Sequence, residues 1–283
     1  MEYDPEVFKQ FELSDTDFQR ISNLIYEQCG ICLSEGKEAL VRSRLGRRIR
    51  DGRFGSFRNY YDHVVKDSTG KELVLLLDSI STNFTSFFRE KQHFDFLGTQ
   101  LLPELMQRRE VRGKKTIRFW SAGCSSGEEP YSIAITLLEA TKGATDCDVN
   151  ILATDISTKV LGMAESGVFR KDRIETIPNN VLKKYFLRGE RDWKDFVKVK
   201  KSLAQHIRFK RLNLMEPFTF AEPFDCIFCR NVMIYFDSRT RTNLVNRFYN
   251  CLHDRGAFLI GHSESLTGIQ TRFKYVAPAV YRK

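Results

Sequence analysis

Residues 119–132 read FWSAGCSSGEEPYS, an apolar strand end that runs into Gly123 and Gly127 and then a helix start. Such a turn looks like a phosphate loop, yet Glu128 and Glu129 stand where a phosphate wants bare amides or a lysine. The glycine spacing is GxxxG, not the GxGxxG of a dinucleotide loop, and taken alone it marks an ordinary tight turn. A phosphate beside these acids would meet repulsion of about 4 kcal/mol per charge pair at a separation of about 4 Å and an effective dielectric near ~20. A cationic ligand would gain instead. Either acid, taken singly, can also serve the positive end of its helix, with Pro130 in the first turn. Asp155 ends the next apolar run, VNILATD, and a carboxylate there can accept from both ribose hydroxyls, each charge-assisted bond contributing about 1.5–3 kcal/mol. The site therefore suits a nucleoside with a positive group and no phosphate. S-adenosylmethionine, with its sulfonium and ammonium, meets that description.

The elements that position these residues alternate. From about residue 116, apolar runs (TIRFWSAG, VNILATD, FDCIFCRNVMIYF, GAFLIGH) exchange with helical stretches (EEPYSIAITLLEA, STKVLGMAES, SRTRTNLVNRFYNCL), which predicts a mostly parallel α/β sheet covered on both faces. Residues 167–206 break the rhythm with the charged stretch RGERDWKDFVKVKKS, read as an inserted subdomain of small antiparallel strands. Ahead of the sheet the chain is helical. Ser14 is a plausible N-cap, Phe18, Ile21, Leu24 and Ile25 share a face before Gly30, and Leu40, Val41, Leu45 and Ile49 repeat at helical spacing before Gly52. The resulting division is a small all-α domain over 1–80, a linker over 81–115, and an α/β domain over 116–283.

Of 283 residues, 42% are hydrophobic and 12% aromatic, enough for a real core, and the net charge of +9 calls for an acidic partner without choosing among nucleic acid, membrane and protein. The start, MEYDPEVFKQFELSD, lacks the features of a signal peptide, and no apolar run approaches the ~18 residues of a membrane span, so the expected location is the cytoplasm. Seven cysteines without a secretory signal fit a reducing compartment. Cys29, Cys32, Cys226 and Cys229 form two CxxC pairs, but the second lies in a strand, where residues three apart point to opposite faces and cannot grip one metal. No metal is expected.

Five stretches then carry a resemblance over nearly the whole chain: STNFTSFFRE (81–90), SAGCSSGEEPYS (121–132), ATDIS (153–157), FDCIFCRNVMIYF (224–236) and GHSES (261–265). In that order they resemble the CheR-type chemotaxis receptor methyltransferases, which methylate glutamate side chains on receptor signalling helices. The resemblance implies a Rossmann-like, S-adenosylmethionine-dependent methyltransferase sheet. It implies that Asn83, Thr85 and Arg89 reach the cofactor, that Glu129 holds its amino acid end and Asp155 its ribose, and that Asn213, Leu214, Arg230 and Asn231 line its adenine and methionine sides. Arg89 and Tyr235 are the candidates for orienting the substrate carboxylate; Tyr235 can equally be core packing at the end of an apolar run. The inserted subdomain resembles the family's docking element for a receptor tail peptide. A monomer, with no nucleic acid and no direct membrane insertion, is expected.

A glutamate side chain is already ionised at neutral pH and is itself the nucleophile, so the chemistry needs alignment more than a general base. The helix EALVRSRLGRRIRDGR puts Arg44, Arg47 and Arg48 at i, i+3 and i+4 on what is expected to be one exposed face, matched to an acidic receptor helix or merely solvated. Two other readings compete. A nucleic-acid methyltransferase fits the charge, but CRNVMIYF replaces the Asp/Asn-Pro-Pro-aromatic motif, and Cys229 lies in a strand instead of a Pro-Cys loop. A non-catalytic module that keeps the fold is the other.

Overall fold

A computed structural model describes residues 12–81, 83–112, 116–141 and 148–283. The acidic residues 1–11, Thr82 of the first quoted motif, and Cys147 lie outside the described residues.

Helical periodicity gives four short helices that cover one another's apolar stripes. In α1 (Asp15–Cys29) the stripe is Phe18, Ile21, Ile25 and Cys29. The Ser14 hydroxyl accepts from the Asp17 N–H at 3.1 Å to cap its start, and Gly30 ends it with φ 73°, a left-handed turn that glycine adopts without strain. Val41, Leu45 and Ile49 of α2 (Glu38–Asp51) meet Phe57, Tyr60 and Val64 of α3 (Phe57–Lys66) and Leu76, Leu77 and Ile80 of α4 (Lys71–Ile80) in a single core. Each such buried side chain contributes about 1.5–3 kcal/mol before entropy is counted.

The segment read as a linker carries a helix of its own. α5 (Gln92–Phe96) passes through a π turn (Leu97–Leu101) into α6 (Leu102–Arg112). Pro103 lacks an N–H and its ring crowds the carbonyl a turn earlier, which accounts for the widened turn just before it. Phe94, Phe96, Leu97, Leu101 and Leu105 join the core beneath the main sheet, so this segment packs as part of the α/β body.

That sheet has seven strands in the order β6 (Ile207–Arg211), β2 (Asp148–Asp155), β1 (Thr116–Ala122), β7 (Phe224–Cys229), β8 (Leu252–Ile260), β10 (Val280–Arg282) and β9 (Lys274–Ala277). The first five are parallel, and β10 runs against both of its neighbours. Alternation fills two faces. Ile117 and Phe119 of β1 point into the core with α7 (Glu128–Ala140), while Trp120 and Ala122 point into the core with α11 (Ser238–Cys251). Cys226 and Cys229 fall on opposite faces in the same way, each with no exposure, so they cannot share a metal. After β1 the chain builds outward through β2, α8 (Thr158–Ser166) and β6, then returns to the other side of β1 as β7. That reversal opens a crevice beyond the carboxyl ends of β1 and β7, the place where open α/β sheets bind ligands.

Between α8 and β6 lies the insertion, a three-stranded antiparallel sheet in the order β3 (Val168–Arg170), β5 (Phe196–Val199), β4 (Phe186–Arg188), with α9 (Asn179–Tyr185) and α10 (Lys201–Ala204). Its Phe169, Phe186, Val197 and Val199 merge with the main core, while Leu187 and Trp193 stay exposed.

Candidate functional site

The crevice is a cavity of about 550 Å³ walled by both domains. Gly123 and Gly127, at φ 85° and 99°, turn the chain from β1 into α7, and a Cβ at Gly127 would meet Ala164 of α8 at 2.9 Å. The two acids that follow part company. Glu129 lines the cavity and accepts from the Ser121 hydroxyl of β1 at 2.7 Å. Glu128 turns away to the Ser126 hydroxyl at 2.7 Å, with Arg173 of the insertion at 3.8 Å. At the end of β2, Asp155 accepts from the N–H groups of Ser125 at 2.9 Å and Ser157 at 3.0 Å, which fixes the carboxylate and leaves lone pairs toward the cavity. Burial pushes its pKa up against the pull of those amides.

Asn83, Thr85 and Arg89 line the cavity from the segment before α5, and the Asn83 carbonyl accepts from the Ser125 hydroxyl at 2.8 Å. Arg89 donates to the Phe84 carbonyl at 3.1 Å. Asn213 and Leu214 line it from the turn after β6, but the Asn213 amide is occupied, donating to the Gln28 carbonyl of α1 at 2.7 Å while its oxygen accepts from the Met215 N–H. Its side chain joins the domains, which leaves its main chain to face a ligand. Arg230, Asn231 and Tyr235 follow β7 on the opposite wall. Arg230 pairs with Glu129 at 2.9 Å and also with Glu90 at 2.9 Å.

The turn that carries Asn231 and Tyr235 is held by Glu264, a residue that the sequence showed only as the acid of GHSES. Its carboxylate accepts from the N–H groups of Asn231 at 2.8 Å, Val232 at 3.1 Å, Ile234 at 3.2 Å and Gly261 at 2.6 Å. Asn231 adopts φ 58°, and a Cβ on Gly261 would run into it. The Tyr235 carbonyl accepts from the Cys32 N–H at 2.8 Å, so the helical domain fastens the same turn from above. Ser121, Ser125, Glu90 and Glu264 thus bond to residues that line or frame the cavity, and spacing alone did not single them out. All four lay inside quoted motifs, the last two as carboxylates with no assigned partner.

The basic helix α2 departs from expectation. Only Arg47 of the three is exposed. Arg44 lines the cavity and donates to the Ile80 carbonyl, and Arg48 is bound to Glu72 of α4, through Nε at 2.7 Å and Nη2 at 2.5 Å. The reason is packing. α4 crosses α2 and brings Glu72, itself only 6% exposed, onto the arginine stripe, where a buried carboxylate needs a cation.

A mostly parallel sheet with a cavity at its strand ends, lined by the carboxylates of Glu129 and Asp155, fits an S-adenosylmethionine-dependent methyltransferase. The chain belongs to the CheR methyltransferase family: residues 16–81 match its all-alpha domain and residues 83–281 its SAM binding domain. It is 44% identical over 273 residues to the chemotaxis protein methyltransferase of Borreliella burgdorferi, covering 96% of this chain and 95% of that one. Identity is 41% over 274 residues to chemotaxis protein methyltransferase 2 of Pseudomonas aeruginosa, with 96% and 95% covered. To the chemotaxis protein methyltransferase of Escherichia coli it is 38% over 277 residues, with 98% and 93% covered.

Proposed function

We propose that this enzyme methylates glutamate side chains on the signalling helices of membrane chemoreceptors, acting in the cytoplasm as a monomer. The observation that carries the reading is that the Glu129–Asp155 cavity also holds Tyr235, Arg89 and Arg44, groups that suit an anionic substrate arriving beside a cationic cofactor. When bound, S-adenosylmethionine supplies an electrophilic methyl group on sulfonium sulfur. Asp155 holds the ribose, Glu129 the ammonium, and Leu214 with the main chain of Asn213 the adenine side. Arg89 and Tyr235 would orient the incoming carboxylate toward that methyl group. No proton has to move. The walls from α2 and the 81–90 segment keep water from the two opposite charges, which cancel in the transition state. No described helix is long and apolar enough to cross a membrane. The insertion, with its exposed Leu187 and Trp193, is the docking element where a receptor carries a suitable tail.

Incubation with methyl-labelled cofactor and receptor-containing membranes tests this. Base-labile release of labelled methanol supports a carboxyl ester. Label in nucleic acid, or no transfer at all, would overturn it.

The arginines of α2 now separate. Arg47→Glu should lower receptor methylation about fivefold at low ionic strength and less as salt screens over ~8 Å, with cofactor affinity unchanged. Arg48→Ala should instead strand Glu72 and cost about 2 kcal/mol of stability in a denaturant titration. Equal effects of the two on receptor methylation, with equal stability, would remove the distinction.

A further inference from the structure

Arg230 is enclosed, its side chain 2% exposed, between two carboxylates. Nη1 donates to Glu129 Oε2 at 2.9 Å; Nη2 donates to Glu90 Oε2 at 2.9 Å, and Nε lies 3.3 Å from the same oxygen. Nη2 also donates to the Arg89 carbonyl, and the ring of Phe94 lies under the guanidinium. Two carboxylates against one guanidinium leave the cluster one negative charge in excess, which is unfavourable in an enclosed site until a further cation arrives. His93, packed beside Glu90, does not supply it: burial, with the charge of Arg230, holds its pKa down to about 3. Of the two acids only Glu129 reaches the cavity.

We propose that Glu90 is a positioning residue for the cofactor's amino acid end: by sharing the charge of Arg230 it leaves Glu129 with anionic character to spend on the ammonium. The proposal rests on the placement of that ammonium at Glu129. The backbone supports it independently. Phe88 and Glu90 adopt φ 53° and 57°, a region unfavourable for residues with side chains. They are held there by the Ser132 hydroxyl, which accepts from the Phe88 N–H at 3.0 Å, and by the His262 N–H, which donates to Glu90 Oε1 at 3.2 Å. Strained backbone at a carboxylate with no role in a core is the mark of a position kept for what it does. Glu90, His93 and His262 also place ligand atoms within 4.8 Å of one another, as a metal site would. Arg230 already fills the cation's place against Glu90, so the cluster is an ion-pair relay.

Glu90→Gln keeps the shape and removes the charge. Calorimetry with two probes reads the effect: S-adenosylhomocysteine, and 5′-methylthioadenosine, which has the same nucleoside and a thioether but no amino acid end. S-adenosylhomocysteine affinity should fall about tenfold, the weakening of one charge-assisted contact, while methylthioadenosine affinity stays unchanged. Equal loss of both, or loss of neither, overturns the proposal. Glu90→Asp, which retains the charge, should preserve the preference for the amino acid-bearing ligand, as a packing role would not require, and the same affinity ratio can be read in Glu90→Ser if the Gln variant does not fold. Glu129→Gln separates the two layers of the argument. If it abolishes the preference while Glu90→Gln does not, the ammonium placement stands and the role of Glu90 fails; if it leaves the preference intact, the placement itself fails.

Discussion

Asp155→Ala should weaken cofactor binding by about a hundredfold or more, because two charge-assisted bonds to the ribose, each contributing about 1.5–3 kcal/mol, are lost together. The loop after β1 is loosened as well, since the carboxylate also anchors the N–H groups of Ser125 and Ser157. Calorimetry with S-adenosylhomocysteine measures it, and affinity within threefold of wild type would refute the ribose assignment. A pH dependence follows with a definite sign. Burial raises the Asp155 pKa above that of an ordinary aspartate, with the amides of Ser157 and Ser125 pulling the other way. Without ligand, the folded state holds this proton more tightly than the unfolded chain. The stability it contributes is therefore present below the unfolded pKa and lost as pH rises through the folded one. Ligand affinity has the opposite trend, because the ribose hydroxyls need an ionised acceptor: it should be flat near neutrality and fall on acidification before ordinary aspartates titrate. Asp155→Asn should abolish that acid limb.

What could be read from residue order was whatever local rules decide. Ser14 and Gly30 bound α1 because a cap oxygen and a left-handed turn are chemistry of single positions, and the alternation of β1 and β7 sorted Cys226 from Cys229 onto opposite faces. The pairing of Glu128 with Glu129 announced an unusual loop, but the direction of α7 against β1 is what turns Glu129 into the cavity and Glu128 away from it. Long-range partners were out of reach. The i, i+3, i+4 stripe of Arg44, Arg47 and Arg48 is a fact of helix geometry, whereas its occupation by Glu72 depends on how α4 crosses α2. The same holds for Glu90. Its motif marked the segment, but its meaning lies in an arginine on another strand end. The helix from Gln92 was hidden because the π turn over Leu97–Leu101 shifts its apolar period partway along.

Glu264→Ala should lower turnover by about a hundredfold even at saturating cofactor and receptor, although Glu264 is the candidate for no chemical step. One carboxylate serves four amides, those of Asn231, Val232, Ile234 and Gly261. Left without an acceptor, each of the half-buried N–H groups of Asn231, Val232 and Gly261 costs about 1–3 kcal/mol unless the turn opens to water. The turn should therefore open in preference to the whole domain, since β7 and β8 are held by their own ladder. Opening shifts Asn231 and Tyr235, and a displacement of ~1 Å in an aligned pair of reactants is enough for a loss of about a hundredfold. Glu264→Gln retains one oxygen that can accept from some of these amides but sets an NH₂ group against the rest, so it should fall between wild type and alanine. Turnover measured beside thermal melting separates the outcomes. A large loss of turnover with a small shift in melting fits a positioned turn. Collapse of both in parallel would make Glu264 a residue of the fold alone, and wild-type turnover in Glu264→Ala would show that the geometry of Tyr235 is set elsewhere, by the Cys32 N–H that binds its carbonyl from the helical domain.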